Sequence, residues 1–121
     1  MKKIIILLVL TLVSCYEQER NCTNFKTGNF EFTREIDGKM ETSYFERNDS
    51  IQIETFREKK DTSSVRWVND CEFILQKINP KSMNEKNAVQ IKILTTNEKG
   101  YTFEYNIVGK TKKQRGTVTK K

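Results

Sequence analysis

Tyr101-Thr102-Phe103-Glu104-Tyr105-Asn106-Ile107 places an aromatic or branched side chain at every second position and a polar one between. A period of two is what a strand with one buried and one wet face requires, and it does not fit a helix, whose faces recur about every 3.6 residues. The same alternation appears on either side of this stretch. Val89, Ile91 and Ile93 alternate with Gln90 and Lys92, and Phe30, Phe32 and Ile36 alternate with Glu31, Thr33 and Glu35. Turn-forming residues separate the runs: Asp37-Gly38, Asn48-Asp49, Asn69-Asp70, Asn97 to Gly100, and Gly109. Asp-Gly and Asn-Asp steps tolerate the positive φ that tight hairpins need.

The remaining strands are less regular. Met40 to Arg47 reads as a second strand of mixed pattern, suited to a wet or edge position, and Ile51, Ile53 and Thr55 lie on a third. Glu58 to Asp61 reads as a charged loop. Val65 and Trp67 share a face beyond it, with Trp67 the candidate for the centre of the core, and Cys71, Phe73 and Leu75 share the face of the next strand. Asn79 to Asn87, with Pro80, is the one long connection and has room for a short helical turn. Gln114 to Lys120 ends the series, with Gly116 and Val118 on one face. About eight antiparallel strands joined in order by short turns predict an all-β meander, which buries one face best by closing into a small barrel. A two-sheet sandwich is the alternative.

In front of this body, Lys2 and Lys3 precede an apolar run from Ile4 to Val13, too short to span a bilayer as a helix. It ends in Leu12-Val13-Ser14-Cys15, which resembles the lipobox of bacterial lipoproteins. The resemblance implies a signal peptide over residues 1–14, cleavage after Ser14, and lipidation of Cys15 by diacylglycerol and palmitate-type acyl chains. The expected organisation is residues 1–14 signal peptide, 15–28 lipidated cysteine and tether, and 29–121 a single barrel domain. Tyr16, rather than Asp, follows the cysteine, so the address implied is the cell envelope, at the outer membrane of a Gram-negative cell. Export past the inner membrane is an oxidising environment, and Cys22 and Cys71 are expected to pair there, closing a segment of 50 residues; two free buried thiols are the alternative. A zinc site is disfavoured because the chain has no histidine.

The absence of histidine also removes Ser-His and Cys-His nucleophile pairs, so no catalytic residue is assigned. Two carboxylate pairs, Asp49 with Glu54 and Asp70 with Glu72, can be drawn on paper, but each reads as solvated acids. No cofactor is implied. Of the 121 residues 22 are basic and 16 acidic, and the excess is local: residues 110–121 carry Lys110, Lys112, Lys113, Arg115, Lys120 and Lys121 with no acid. This basic end is a candidate contact for an anionic lipid surface or simply a soluble strand edge. The location implied by the lipobox argues against nucleic acid as its partner.

Gly28-Asn29-Phe30, opening the first strand, is similar to the Gly-x-Trp of lipocalin-like proteins, with Phe30 at the usual Trp position. That resemblance implies a small lipocalin-like barrel whose interior is lined by Phe30, Phe32, Trp67, Phe73, Phe103 and Tyr105. Asn21-Cys22, Phe45-Glu46-Arg47-Asn48-Asp49-Ser50, Trp67-Val68-Asn69-Asp70-Cys71-Glu72 and Gln114 to Lys121 resemble a family of small deduced lipoproteins, some labelled DNA topoisomerase IV. That chemistry needs an ATP site, an acidic metal cluster and a positioned tyrosine, and Tyr44, Tyr101 and Tyr105 instead fall in strand alternation. The expected function is therefore a lipid-anchored, non-catalytic binding or interaction module. A carrier of a small apolar ligand and an inhibitor of an envelope-attacking enzyme are the alternatives. So many aromatic inward positions in a chain this short predict a filled interior, with function on the rim or outer face.

Overall fold

A computed structural model describes residues 20–121, so the expected signal peptide, Cys15 and the acidic residues just after it lie outside the described residues. Eight antiparallel strands follow in chain order: β1 Gly28–Ile36, β2 Lys39–Arg47, β3 Ile51–Phe56, β4 Lys59–Asn69, β5 Glu72–Lys77, β6 Val89–Thr96, β7 Gly100–Ile107 and β8 Gln114–Lys120. Each pairs with its neighbours, and β8 pairs back onto β1 through Phe30↔Lys120 and Phe32↔Val118, closing the barrel. Closure leaves no sheet edge over the paired length, which satisfies the backbone groups an open meander would expose.

The connections sort to two ends. The 48–50, 70–71 and 97–99 turns lie at one end, together with the chain entry and the end of β8. The 37–38 and 57–58 turns and the longer 78–88 and 108–113 segments lie at the other, the 78–88 segment containing the expected short 3-10 turn, Asn84–Lys86. The first end is closed. A 3-10 turn, Cys22–Phe25, buries Cys22 and Phe25 beneath the barrel wall, and the Cys22–Cys71 disulfide ties it to the β4–β5 turn. Arg20 donates to the Ile93 carbonyl and the Asn21 N–H to Thr96 Oγ1, so the chain is bound to the barrel before β1 begins.

Inward positions differ from the sequence reading on β3. On β3 the residues facing the interior are Gln52 and Glu54, and Ile51 and Ile53 lie half-buried on the outer face. The parity is set by the cross-strand register Gln52↔Ser63 and Glu54↔Asp61 against Arg47↔Gln52, which overrides the apolar pattern. Glu58 to Asp61 is not a loop: Arg57 and Glu58 alone turn, both at positive φ (49° and 64°), and β4 starts at Lys59. Neither residue has turn chemistry, so the hairpin left no mark in the sequence. Cys71 sits in the β4–β5 turn, before the strand it was expected to share with Phe73.

The centre of the core is also not Trp67, which is only half-buried. It is Arg47, 2% exposed, against the rings of Phe30 and Phe73, each 4.6 Å from the guanidinium carbon. Phe30 stacks on Phe45 at 5.1 Å, Phe25 meets Tyr101 edge-on at 5.4 Å, and Trp67 packs on Phe73 at 4.5 Å. β2 is thus an interior strand whose last residue is the least expected core member.

Candidate functional site: a cavity open at one end

Above this plug the interior is hollow. A cavity of about 710 Å³ runs from the aromatic layer to the open end, which overturns the expectation of a filled interior. The inward residues near the closed end are large and meet across the axis, whereas Leu75, Val89 and Ile91 higher on the wall are smaller and leave the axis free. Gly116 on β8 lets the Phe32 and Phe103 rings pack directly on the wall, since a Cβ there would meet them at 2.7 and 2.9 Å.

The expected lining residues divide accordingly. Phe32, Phe103 and Tyr105 face the cavity, with Phe32 and Phe103 edge-to-face at 5.5 Å and Phe103 and Tyr105 tilted at 5.6 Å. Phe30, Phe73 and Trp67 belong to the plug below it. Leu75, Val89, Ile91 and Ile107 complete the apolar shaft.

Polar groups sit at both ends of that shaft. At its floor Arg47 is buried without a carboxylate. Its Nε donates to the Lys26 carbonyl at 3.2 Å, one terminal nitrogen donates to Gln52 Oε1 at 3.1 Å, and the other donates to the Phe25 carbonyl. Tyr101 Oη accepts from both terminal nitrogens, at 3.4 and 3.3 Å. Burial holds the Tyr101 phenol above its ordinary pKa, against the opposing pull of Arg47, so it stays protonated.

At the mouth stand Arg34, Glu54, Asp61, Lys77, Glu85, Lys110 and Lys112. Lys77 bridges Glu85 at 3.1 Å and Asp61 at 3.7 Å, and Glu85 also accepts from the Lys81 N–H, which fastens the 78–88 segment to β5. Those contacts, the Lys81 N–H first and then Lys77, hold Glu85 below the ordinary carboxylate range. Burial raises the pKa of Glu54; Arg34 opposes the rise, Asp61 adds to it and Lys77 opposes it. Arg34 lies over the Phe32 and Phe56 rings at 5.9 and 5.5 Å. Among the described residues, Arg34, Lys110 and Lys112 form no ion pair.

The basic end read from the sequence is therefore not one patch. Lys110 and Lys112 are at the mouth. Lys113 and Arg115 both pair with Glu104 on the outer wall, at 3.4 and 3.5 Å. Lys120 donates to the Asn24 carbonyl and Lys121 pairs with Glu31 at the closed end. β8 runs the height of the barrel, so cations adjacent in sequence are carried to opposite ends.

Neither paper carboxylate pair forms. Asp49 is in a closed-end turn while Glu54 points inward, and Asp70 pairs with Lys26 while Glu72 accepts from Gln90. Lys110 and Lys112 were already part of the basic end, and Glu54 of a carboxylate pair; Arg34, Arg47 and Lys77 were missed because alternation reads a charged strand residue as facing outward. Among known proteins, no family model, curated protein or solved structure matches the chain.

Proposed function

We propose that this protein is a non-catalytic carrier or sensor of a small amphiphile, held with its apolar body in the shaft and an acidic head at the mouth. The observation that carries this reading is the cavity of about 710 Å³ with an apolar wall and a mouth where, among the described residues, the cations Arg34, Lys110 and Lys112 form no ion pair. Its size lies within the range of small-molecule sites, roughly 300–1,000 Å³. The plug below supports the same reading, because a floor closed by a disulfide and a buried arginine keeps the shaft a pocket rather than a channel.

The lipobox resemblance adds the address: an envelope lipoprotein anchored through Cys15. Cys15 lies five residue steps before Arg20, which is fastened to the closed end, and at about 3.3 Å per extended step these reach at most roughly 17 Å. An anchor there holds the closed end next to its membrane and turns the mouth away from it. The test is displacement of a fluorescent anionic amphiphile by fatty acids in purified protein, alongside native mass spectrometry of protein from its own cells. Binding is expected in wild type and weakened about tenfold or more in Ile91→Trp, which fills the shaft. Absence of probe binding in a folded protein defeats the carrier reading.

A further inference from the structure

The described residues include six large apolar side chains that are well exposed: Met40, Tyr44, Val68, Ile78, Met83 and Val108. Four of them lie at the mouth end: Ile78, Met83 and Val108 in the 78–88 and 108–113 connections, and Met40 near the start of β2, beside the 37–38 turn. Met40 and Met83 are the most exposed, at 69% and 76%. Apolar side chains scattered over a surface need no explanation, but these four collect at one end, by three of its four connections.

Cations accompany them. Lys39 precedes Met40, Lys81 and Lys86 flank Met83, and Val108 leads into Lys110, Lys112 and Lys113. The same three segments carry two acids, Asp37 and Glu85, and Glu85 is occupied by Lys77 and the Lys81 N–H. A protein partner favours a contiguous apolar patch poor in lysine. Separate apolar tips alternating with lysines around a ring suit a different surface: each tip enters the headgroup region on its own while the ammonium groups meet lipid phosphates.

We propose that the mouth rim docks onto an anionic lipid bilayer, placing the cavity opening against the lipid from which an amphiphile would enter or leave. The docking stands on the rim alone and does not depend on what the cavity holds. If the chain is anchored at its closed end, the bilayer met by the mouth is a second surface, opposite the anchor.

Met40 and Met83 report this directly, because they are the only methionines besides Met1 and their oxidation follows exposure. The full chain is treated with dilute peroxide alone, with phosphatidylcholine vesicles, and with vesicles of phosphatidylcholine mixed with phosphatidylglycerol, and sulfoxide is read by peptide mass spectrometry. Oxidation of both methionines is expected to slow several-fold on the anionic vesicles only. Attachment through a lipidated N-terminus alone leaves both methionines as reactive as in solution, since they lie at the far end. Lys39→Glu, Lys81→Glu and Lys86→Glu together should abolish the protection while leaving amphiphile binding intact, because none of the three lines the cavity. Equal rates under all three conditions, equal protection by both vesicle types, or protection without vesicles, which would mark self-association, each overturns the proposal.

Discussion

Replacing Arg47 tests the reading that a buried cation, rather than an apolar centre, closes the barrel. Its guanidinium satisfies the carbonyls of Phe25 and Lys26 and the Gln52 amide oxygen, and it lies 4.6 Å from two phenyl rings. Arg47→Ala empties a site that is 2% exposed and strands two carbonyls beneath the 3-10 turn. Large-to-Ala core changes cost about 2–5 kcal/mol, and each stranded acceptor about 1–3 kcal/mol more. Relief of the buried charge works in the opposite direction, by several kcal/mol. No carboxylate is left unpaired, so the loss should fall below that of breaking a buried ion pair, at about 3–4 kcal/mol. Arg47→Met keeps the stem volume and isolates the hydrogen-bonding part, for which about 2 kcal/mol is expected. The assay is urea unfolding of the oxidised protein followed by Trp67 fluorescence, which reports this end because Trp67 packs on Phe73. With slopes of about 1–3 kcal/mol/M, the alanine variant should lower the midpoint by about 2 M. A methionine variant as stable as wild type, with its slope unchanged, would refute the hydrogen-bond argument.

Reducing the Cys22–Cys71 bond should cost about 4 kcal/mol by the chain-entropy model for its separation of 49 residues, measured as the difference in urea midpoint with and without reductant. Gly100→Ala should be the most damaging small substitution, by about 3 kcal/mol or more, because its methyl would meet the Val118 carbonyl across the β7–β8 pair; thermal unfolding checks it. Glu54 binds its proton more tightly folded than unfolded, so its contribution is full below the unfolded pKa and is lost as pH rises through the folded one. Glu54→Gln should therefore be more stable than wild type near neutral pH and lose that advantage in acid, as read from midpoints at about pH 7 and about pH 4.

The fold was readable where alternation is clean and turns carry their usual residues. β1, β6, β7 and β8 and the Asp37-Gly38 and Asn97–Gly100 turns lie where the period-two pattern puts them, and the all-β barrel follows from their order. The Asn97 side chain accepts from the N–H groups of Lys99 and Gly100, the local bonding that makes Asn a turn signal. The disulfide was legible from the cysteine count and the export that the lipobox resemblance implies. Illegible were the features in which barrel closure outweighs local preference. Gln52 and Glu54 face inward because register leaves them no other side, and Arg57-Glu58 turns at positive φ because the β3–β4 hairpin needs two residues there. Of the site's charges, Lys110 and Lys112 were legible in the basic end, whereas Arg34 and Lys77 turn inward on β1 and β5, where alternation reads a charge as outward.

The two ends of the barrel require opposite solutions from one set of strands. Near the floor, the alternate inward positions are Phe30, Phe45, Phe73 and Tyr101, which meet across the axis and leave room only for the planar group of Arg47. Near the mouth the same strands supply Arg34, Lys77, Tyr105 and Ile107. β1 pairs with β8 only up to Phe32, so Thr33–Ile36 are held by β2 alone, and the β1–β2 hairpin stands free of the wall on that side. The unpaired stretch of β1 includes Arg34. Packing is thus concentrated where the chain is stapled, and unpaired backbone, unpaired cations and exposed methionines gather at the other end. Local opening should follow the same gradient, because a strand segment with one paired edge and little buried apolar surface exchanges its amide hydrogens long before the global unfolding that frees the floor.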